Sequence, residues 1–216
     1  MSTAPYKTLR QEAADEVIIN KSRFIGYACP CETEEEALAF LNKIRTKHKD
    51  ATHNCYAYVI GKNSGIMRYS DDGEPGGTAG LPMMEVLKAQ GVVNCCVVVT
   101  RYFGGILLGA GGLVRAYTKG AKIAIDAAGK SMKRVWTVLY VPCPYTYYER
   151  LKLEVEAFGG VIRKTDFGSE VELEILVAQP KAQAFLDKLT DMTAGTVDAL
   201  ELGQEYRAFP VTQEED

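Results

Sequence analysis

The sequence predicts an α+β protein with two domains. Strand-like and helix-like segments alternate along the chain, and from residue 133 their order is strand, helix, strand, strand, helix, strand. The length of 216 residues is enough for one large domain or two small ones. We therefore expect an N-terminal domain over residues 1–132, a second domain over residues 133–207 and a terminal tail over residues 208–216.

The first 70 residues predict four strands and one helix. The strand-like stretches are Val17–Asn20, Ser22–Tyr27, Cys55–Ile60 and Ile66–Ser70. The helix follows Thr33, a typical N-cap residue, and Glu36 has the spacing of a capping box. Its apolar face comprises Ala37, Leu38, Leu41 and Ile44. The basic residues near its end suit the helix dipole or contact an anion: Lys43, Arg45, Lys47, His48 and Lys49.

Ten of the 20 glycines lie within residues 71–112, and nine of these ten fall in two clusters. The first cluster is Asp71–Gly80 and the second is Arg101–Gly112. The elements beside them are a helix from Pro82 to Gly91, a central strand over Val92–Thr100 and a helix over Leu113–Ala128. Because glycine loses more chain entropy on folding than other residues, such clusters indicate backbone that must take unusual dihedrals or allow a close approach.

Residues 133–207 predict six elements. They are the strand Arg134–Val141, the helix Tyr147–Phe158, the strands Val161–Asp166 and Glu170–Ala178, the helix Ala182–Leu189 and a strand around Thr196–Tyr206. The order βαββαβ is that of the ferredoxin-like fold. Residues 208–216 have the composition of a frayed acidic tail.

Composition and cysteine usage exclude several classes of protein. No apolar run reaches the length of a membrane span, and the polar N-terminus lacks the apolar core of a signal peptide. The six cysteines form no C-x-x-C pair, which argues against a zinc ribbon or a redox motif. We therefore expect a cytoplasmic protein with reduced thiols, no bound metal and no cofactor.

The distribution of charge favours an anionic partner. Residues 1–132 carry 16 Lys+Arg and 13 Asp+Glu, a net charge of +3, whereas residues 133–216 carry 9 and 15, a net charge of −6. A basic front and an acidic rear suit a protein that presents one face to an anion. No lysine–arginine tract is present, so non-specific binding of nucleic acid through charge alone is expected to be weak.

The second glycine cluster predicts an anion-binding turn. Neither the P-loop nor the Rossmann fingerprint is matched, since Ala110 replaces the P-loop lysine and Val114 the last Rossmann glycine. A strand, a glycine turn and a helix N-terminus nevertheless present free N–H groups to an anion. The candidate residues of this turn are Arg101, Gly104, Gly105, Gly109, Gly111 and Gly112. Tight backbone packing is the alternative explanation of the glycines.

Three cations extend this candidate site along the following helix. Arg115, Lys119 and Lys122 recur at helical spacing and share one face. Together with Arg101 they predict a basic strip beside the glycine turn, which suits phosphate groups. An ordinary solvated helix face is the alternative.

The first glycine cluster adds a group of carboxylates. Asp71, Asp72 and Glu74, together with His53 and Thr78, are candidates for loop stabilisation or for contact with a ligand or cation. With only two histidines and no serine or cysteine in a nucleophile elbow, we identify no catalytic residue.

Long sequence blocks resemble the IMPACT family, which includes bacterial YigZ-type proteins. These blocks are Ala51–Ala57, Ser70–Gly80, Val97–Gly105 and Leu108–Tyr117, and the resemblance covers about residues 1–128. The acidic rear half resembles the extra C-terminal domain of the bacterial members. Two departures are Gly76, where serine is common, and Leu81, where arginine is common.

The resemblance implies a fold and a cellular context. The N-terminal domain is expected to be similar to domain 2 of ribosomal protein S5, and the second domain to the last domain of elongation factor G. Both comparisons imply RNA, ribosomes or translation factors as partners. The role of the eukaryotic members in translation initiation depends on an additional domain, so the resemblance does not imply that role in full for this sequence.

Three functions follow from these observations. The first is a non-enzymatic protein that binds RNA or the translation machinery and regulates translation, without DNA sequence specificity. The second is an enzyme or binding protein for a nucleotide or small molecule that uses the glycine-rich loops. The third is a module that docks on a protein partner.

Overall fold

The computed structural model describes residues 4–210, which form ten strands and five helices. The strands are β1 (Tyr6–Leu9), β2 (Ala13–Ile19), β3 (Ser22–Pro30), β4 (His53–Ile60), β5 (Ile66–Ser70), β6 (Cys95–Tyr102), β7 (Lys130–Cys143), β8 (Val161–Phe167), β9 (Val171–Ala178) and β10 (Leu200–Pro210). The helices are α1 (Glu34–Lys47), α2 (Gly80–Gln90), α3 (Gly109–Ala128), α4 (Tyr145–Ala157) and α5 (Ala182–Thr193). Two compact units contain them: a front unit of residues 6–132 with 209–210, and a rear unit of residues 133–208 with 4–5.

The front unit is built on an antiparallel sheet with the strand order β2-β3-β6-β4-β5. Residues Cys95–Val99 of the central strand β6 are all apolar and buried. Successive side chains of a strand point to opposite faces, so β6 contributes to the core on both sides of the sheet. Cys95 lies in the core cluster shared with α2 and α3, whereas Cys96 lies in the cluster shared with α1. The sheet therefore separates α1 from α2 and α3.

Helix α3 approaches the sheet closely at a pair of glycines. A Cβ atom on Gly26 in β3 would collide with the carbonyl oxygen of Gly120 in α3. A Cβ atom on Gly120 would lie 3.0 Å from a methyl group of Val99 in β6. This contact holds the middle of α3 against the two central strands.

The rear unit confirms the predicted ferredoxin-like topology. Its strands lie in the order β10-β7-β9-β8, with α4 between β7 and β8 and α5 between β9 and β10. Its core includes Leu139, Leu151, Leu173, Ile175 and Phe185. The expected α+β, two-domain fold is thus observed.

Several element boundaries differ from those predicted. Helix α3 begins at Gly109 rather than Leu113, and α2 begins at Gly80 rather than Pro82. Both predicted starts were placed too late because glycine has a low helix propensity. At α2 the first turn is held by the Asp71 carboxylate, which accepts from the main-chain N–H groups of Ala79 and Gly80. Strand β10 begins at Leu200, since the Thr196 hydroxyl instead donates to the Thr193 carbonyl oxygen at the end of α5.

Two further predictions concern the tail over residues 208–216 and the absence of a membrane span. Strand β10 continues to Pro210, and the remainder of the predicted tail, residues 211–216, lies outside the described residues. No helix within residues 4–210 is long and apolar enough to cross a membrane.

Candidate functional site

A buried ion pair joins the two glycine clusters. Arg101, near the end of β6, and Glu74, in the loop before α2, have side chains that are only 6% and 3% exposed. Their Nη1 and Oε1 atoms are 2.6 Å apart, and the Tyr117 hydroxyl donates to the same carboxylate oxygen at 2.7 Å. Burial raises the pKa of Tyr117, so its phenol remains a donor. Three distant segments of the front unit therefore meet at one carboxylate.

His53 lies beside this pair in a fixed orientation. It begins β4 and is the register partner of Arg101 in β6. Its Nδ1 atom is 2.7 Å from the main-chain oxygen of Asp72, which accepts hydrogen bonds only, so Nδ1 carries the proton. In the neutral ring, Nε2 therefore presents a lone pair, 3.9 Å from Oε2 of Glu74. Gly73 has a φ of +91°, and a Cβ atom there would lie 3.4 Å from the imidazole ring.

These three polar residues line a cleft of about 390 Å³. One wall is the first turn of α3, with Gly109, Ala110 and Leu113. Phe103, Leu107 and Leu108 form an apolar lip, and Leu107 is 86% exposed. The cleft thus combines a charged floor, a helix N-terminus and an apolar edge.

Asp71 and Thr78 stabilise the first glycine cluster. The Asp71 carboxylate accepts hydrogen bonds from the main-chain N–H groups of Gly77, Ala79 and Gly80 at 2.8–3.0 Å. The Thr78 hydroxyl donates to the Pro75 carbonyl oxygen at 2.7 Å. Asp71 therefore caps α2 from a distance, because helix N-termini have N–H groups without partners within the helix.

Asp72 ties the same loop to β4 and α1. One carboxylate oxygen accepts from the Asn54 main-chain N–H at 2.7 Å, and the other accepts from Arg45 at 3.0 Å. Arg45 was expected to act as a cation at the end of α1, and its partner is this acidic residue. Both aspartates thus have contacts that hold the loop in place.

The glycines of the second cluster differ in their surroundings. A Cβ atom on Gly104 would overlap the main chain of Lys21, and one on Gly112 would lie 2.9 Å from the Leu108 side chain. Close packing accounts for these two. By contrast, Cβ atoms on Gly105 and Gly109 would meet nothing within 4 Å. Gly109 has a φ of +68°, the left-handed conformation that favours glycine at the start of α3.

The four cations predicted to form one strip separate into two groups. Arg115, Lys119 and Lys122 are exposed on α3, and none forms an ion pair with another residue in the 4–210 range. Arg115 folds back over the first turn, since its Nη1 atom is 3.9 Å from the Cβ position of Gly111. Arg101 differs because it is buried and its charge is balanced by Glu74.

Sequence reasoning missed two polar roles. Tyr117 was not among the candidate site residues, although a buried tyrosine hydroxyl normally needs a partner. His48 was counted among the cations at the end of α1. Its ring atoms Nε2 and Nδ1 lie 2.6 and 2.8 Å from the hydroxyls of Tyr27 and Tyr102. Burial lowers the pKa of His48, so the ring is neutral at pH 7.

Known proteins resemble this chain over both units. The Impact N-terminal domain matches residues 20–125, and a domain of unknown function, DUF1949, matches residues 141–196. A crystal structure described as that of a hypothetical protein is 34% identical, with a TM-score of 0.59, and the match covers 92% of this chain and 98% of the other.

Named relatives agree with these matches. IMPACT family member YvyE of Bacillus subtilis (strain 168) is 40% identical over 196 residues, which are 91% of this chain and 90% of the relative. IMPACT family member YigZ of Escherichia coli (strain K12) is 38% identical over 184 residues, which are 84% and 90%. Protein IMPACT of Danio rerio is 39% identical over 94 residues, which are 41% of this chain and 29% of the relative. The chain therefore belongs to the IMPACT family.

Proposed function

We propose that this protein is a cytoplasmic, non-enzymatic RNA-binding protein that acts on the translation machinery. The observation that carries the proposal is the exposed face of α3, where Arg115, Lys119 and Lys122 have no acidic partner among the described residues. Cations that are not neutralised by the protein are available to phosphate groups, which dominate the affinity of proteins for nucleic acids.

The N-terminus of α3 adds to this potential. Helix α1 has Thr33 as a side-chain cap and three glutamates in its first turn. Helix α3 has neither a side-chain cap nor an acidic residue in its first turn. Its first N–H groups and the positive end of its dipole therefore remain available to an anion. Arg115 lies over that turn, so an anion bound there would meet both the helix terminus and a guanidinium group.

The translational part of the proposal rests on the family resemblance. The front unit carries the sequence blocks that resemble the IMPACT family, and its expected likeness to a ribosomal protein domain makes RNA or a ribosome the favoured partner. Shared ancestry and a shared fold are weaker support than the site itself. The binding experiment below therefore tests the site directly.

The test measures binding of a labelled single-stranded RNA, a transfer RNA and ribosomes over a range of salt concentrations. Three phosphate contacts predict a slope of log affinity against log salt of about −2 for a single strand. Replacing Arg115, Lys119 and Lys122 with glutamate is expected to weaken binding more than about tenfold and to flatten the slope.

The matched control is Lys49→Glu, which makes the same charge change at a single exposed residue just beyond the end of α1, the helix that packs on the other face of the sheet. It should be compared with the single variant Lys119→Glu. The proposal fails if the wild-type protein binds none of the three RNA targets, or if Lys49→Glu weakens binding as much as Lys119→Glu.

A protein-docking function has one observation in its favour. A groove of about 560 Å³ lies between α2 and α3, and Leu81, Val86 and Val114 contribute to its apolar lining. Exposed apolar surface of this kind is typical of protein contacts. Recovery of one protein partner from nuclease-treated lysate, lost in a Leu81→Asp/Val114→Asp variant, would favour this function over RNA binding.

A further inference from the structure

The cleft beside α3 is not used by phosphate binding on the outer face of that helix. It nevertheless contains the buried Arg101–Glu74 pair and His53. Placing two charges away from water is expensive, and apolar side chains of similar volume often stabilise a protein at least as well. Convergent polar groups in a partly apolar cleft are typical of a ligand-binding site.

The polar groups of the cleft lack some of their hydrogen-bond partners. Nε2 of a neutral His53 and Oε2 of an ionised Glu74 both accept hydrogen bonds. These two atoms are 3.9 Å apart. Nε of Arg101, a buried donor, has no partner among the described residues. Two neighbouring acceptors suit a ligand hydroxyl group, because a hydroxyl can donate to either of them.

The lip of the cleft suits a planar ring. Phe103 is 46% exposed, and the Arg101 guanidinium lies 5.4 Å from its ring centroid. Exposed aromatic side chains next to a cation are the usual platform for an unpaired base of a single-stranded nucleic acid. Leu107 and Leu108 extend this apolar edge.

The remaining wall suits an anion, since Gly109 and Ala110 belong to the uncapped first turn of α3. A volume of about 390 Å³ is near the lower end of small-ligand pockets, which range from about 300 to 1,000 Å³. The cleft therefore has room for one small unit that carries a ring, a hydroxyl and an anionic group.

We propose that the cleft binds one ribonucleotide of the bound RNA, with its 2′-hydroxyl on His53 and Glu74, its base on Phe103 and its phosphate on the first turn of α3. The inference rests on the RNA binding proposed above and adds a means of distinguishing RNA from DNA, because the 2′-hydroxyl is what separates the two.

The first experiment compares an RNA oligonucleotide with the single-stranded DNA of the same sequence, by fluorescence anisotropy. Wild-type protein is expected to bind RNA about three- to tenfold more tightly, the usual effect of one hydrogen bond. His53→Phe should abolish this preference while leaving the salt dependence unchanged. Phe103→Ala should weaken binding of both strands by about five- to 150-fold, as expected for lost stacking.

Tyr69→Ala is the matched control for Phe103→Ala, because Tyr69 is similarly exposed on β5 and does not line the cleft. It is expected to leave both affinities unchanged. Equal binding of RNA and DNA by the wild type, with no effect of Phe103→Ala, would overturn the inference and leave the phosphate contacts of α3 standing.

A second experiment tests the cleft without a polymer. AMP and 2′-deoxyAMP are titrated into the full-length protein, and amide chemical shifts are followed by NMR. Larger shifts at Gly73, Gly109 and Ala110 with AMP than with 2′-deoxyAMP support the site even if RNA binding fails. No saturable shift at these residues with either nucleotide, together with RNA binding that ignores the 2′-hydroxyl, would refute it.

Discussion

At the scale of single residues, Arg101 is the least expected feature of the front unit. It lies in the central strand β6, whose other side chains are almost all apolar and buried. Its charge is accommodated because Glu74, 27 residues earlier in the chain, reaches it with one carboxylate oxygen. The pair therefore couples the loop before α2 to the centre of the sheet.

Removing one partner of this pair should be more harmful than removing both. Arg101→Met leaves the Glu74 carboxylate buried with only the Tyr117 hydroxyl as a close donor, and is expected to lower the free energy of unfolding by about 3–5 kcal/mol. The double variant Arg101→Met/Glu74→Leu should recover most of that loss. Urea unfolding measures the free energy of unfolding of the single and the double variant. A double variant as unstable as the single one would show that the pair stabilises the protein by more than mutual charge compensation.

At the scale of elements, the contact between Gly26 and Gly120 sets the position of α3. The helix contributes both the exposed cations and the first turn that lines the cleft, so its distance from the sheet also positions the site. Side chains at this contact would push the helix away from β3 and β6.

Gly26→Ala tests this dependence. The added Cβ collides with main-chain atoms rather than with a flexible side chain, and we expect a loss of about 1–3 kcal/mol in the free energy of unfolding. Gly76→Ala is the control, since a Cβ there meets nothing within 4 Å, and its effect should stay within about 0.5 kcal/mol. Similar unfolding midpoints for the two variants would contradict the proposed role of the glycine contact.

Local patterns predicted most elements but not the contacts between them. Thr33 is the observed N-cap of α1, while Glu36 accepts from the main chain of Glu32 rather than completing the box at Thr33. Strand β1 was not predicted, because its four residues are too short for a period to be recognised. The Arg101–Glu74 pair was also missed, since pairing over 27 residues leaves no local signal.

The candidate site was predicted as a region rather than as a geometry. His53 and some residues of each glycine cluster do line one cleft, among them Gly73 and Glu74 of the first and Arg101 and Gly109 of the second. The sequence did not reveal that Arg101 is buried whereas Arg115 is exposed, because burial depends on which strand lies at the centre of the sheet. Helical spacing was sufficient to predict that the three cations of α3 lie along one face of the helix, and all three are exposed.

At the scale of the whole molecule, the sign of the net charge opposes the proposed function. The chain carries −3 in total, because the −6 of residues 133–216 exceeds the +3 of residues 1–132. An anionic RNA would therefore be repelled by the net charge of the molecule while the proposed α3 face attracts it. Over long distances the repulsion is felt only at low salt, since the Debye length falls from about 30 Å at 0.01 M to about 8 Å at 0.15 M.

Neutralising exposed acids of the rear unit should therefore change RNA affinity in a salt-dependent way. Glu156, Asp191 and Asp198 are exposed and form no ion pair with another described residue. Replacing them with glutamine or asparagine raises the formal net charge from −3 to 0. RNA affinity is expected to rise several-fold at 0.01 M salt and to equal that of the wild type at 0.15 M. A gain that persists at 0.15 M would mean that these carboxylates act on the RNA at short range. No gain at either salt concentration would show that attraction by the α3 face is insensitive to the charge of the rear unit.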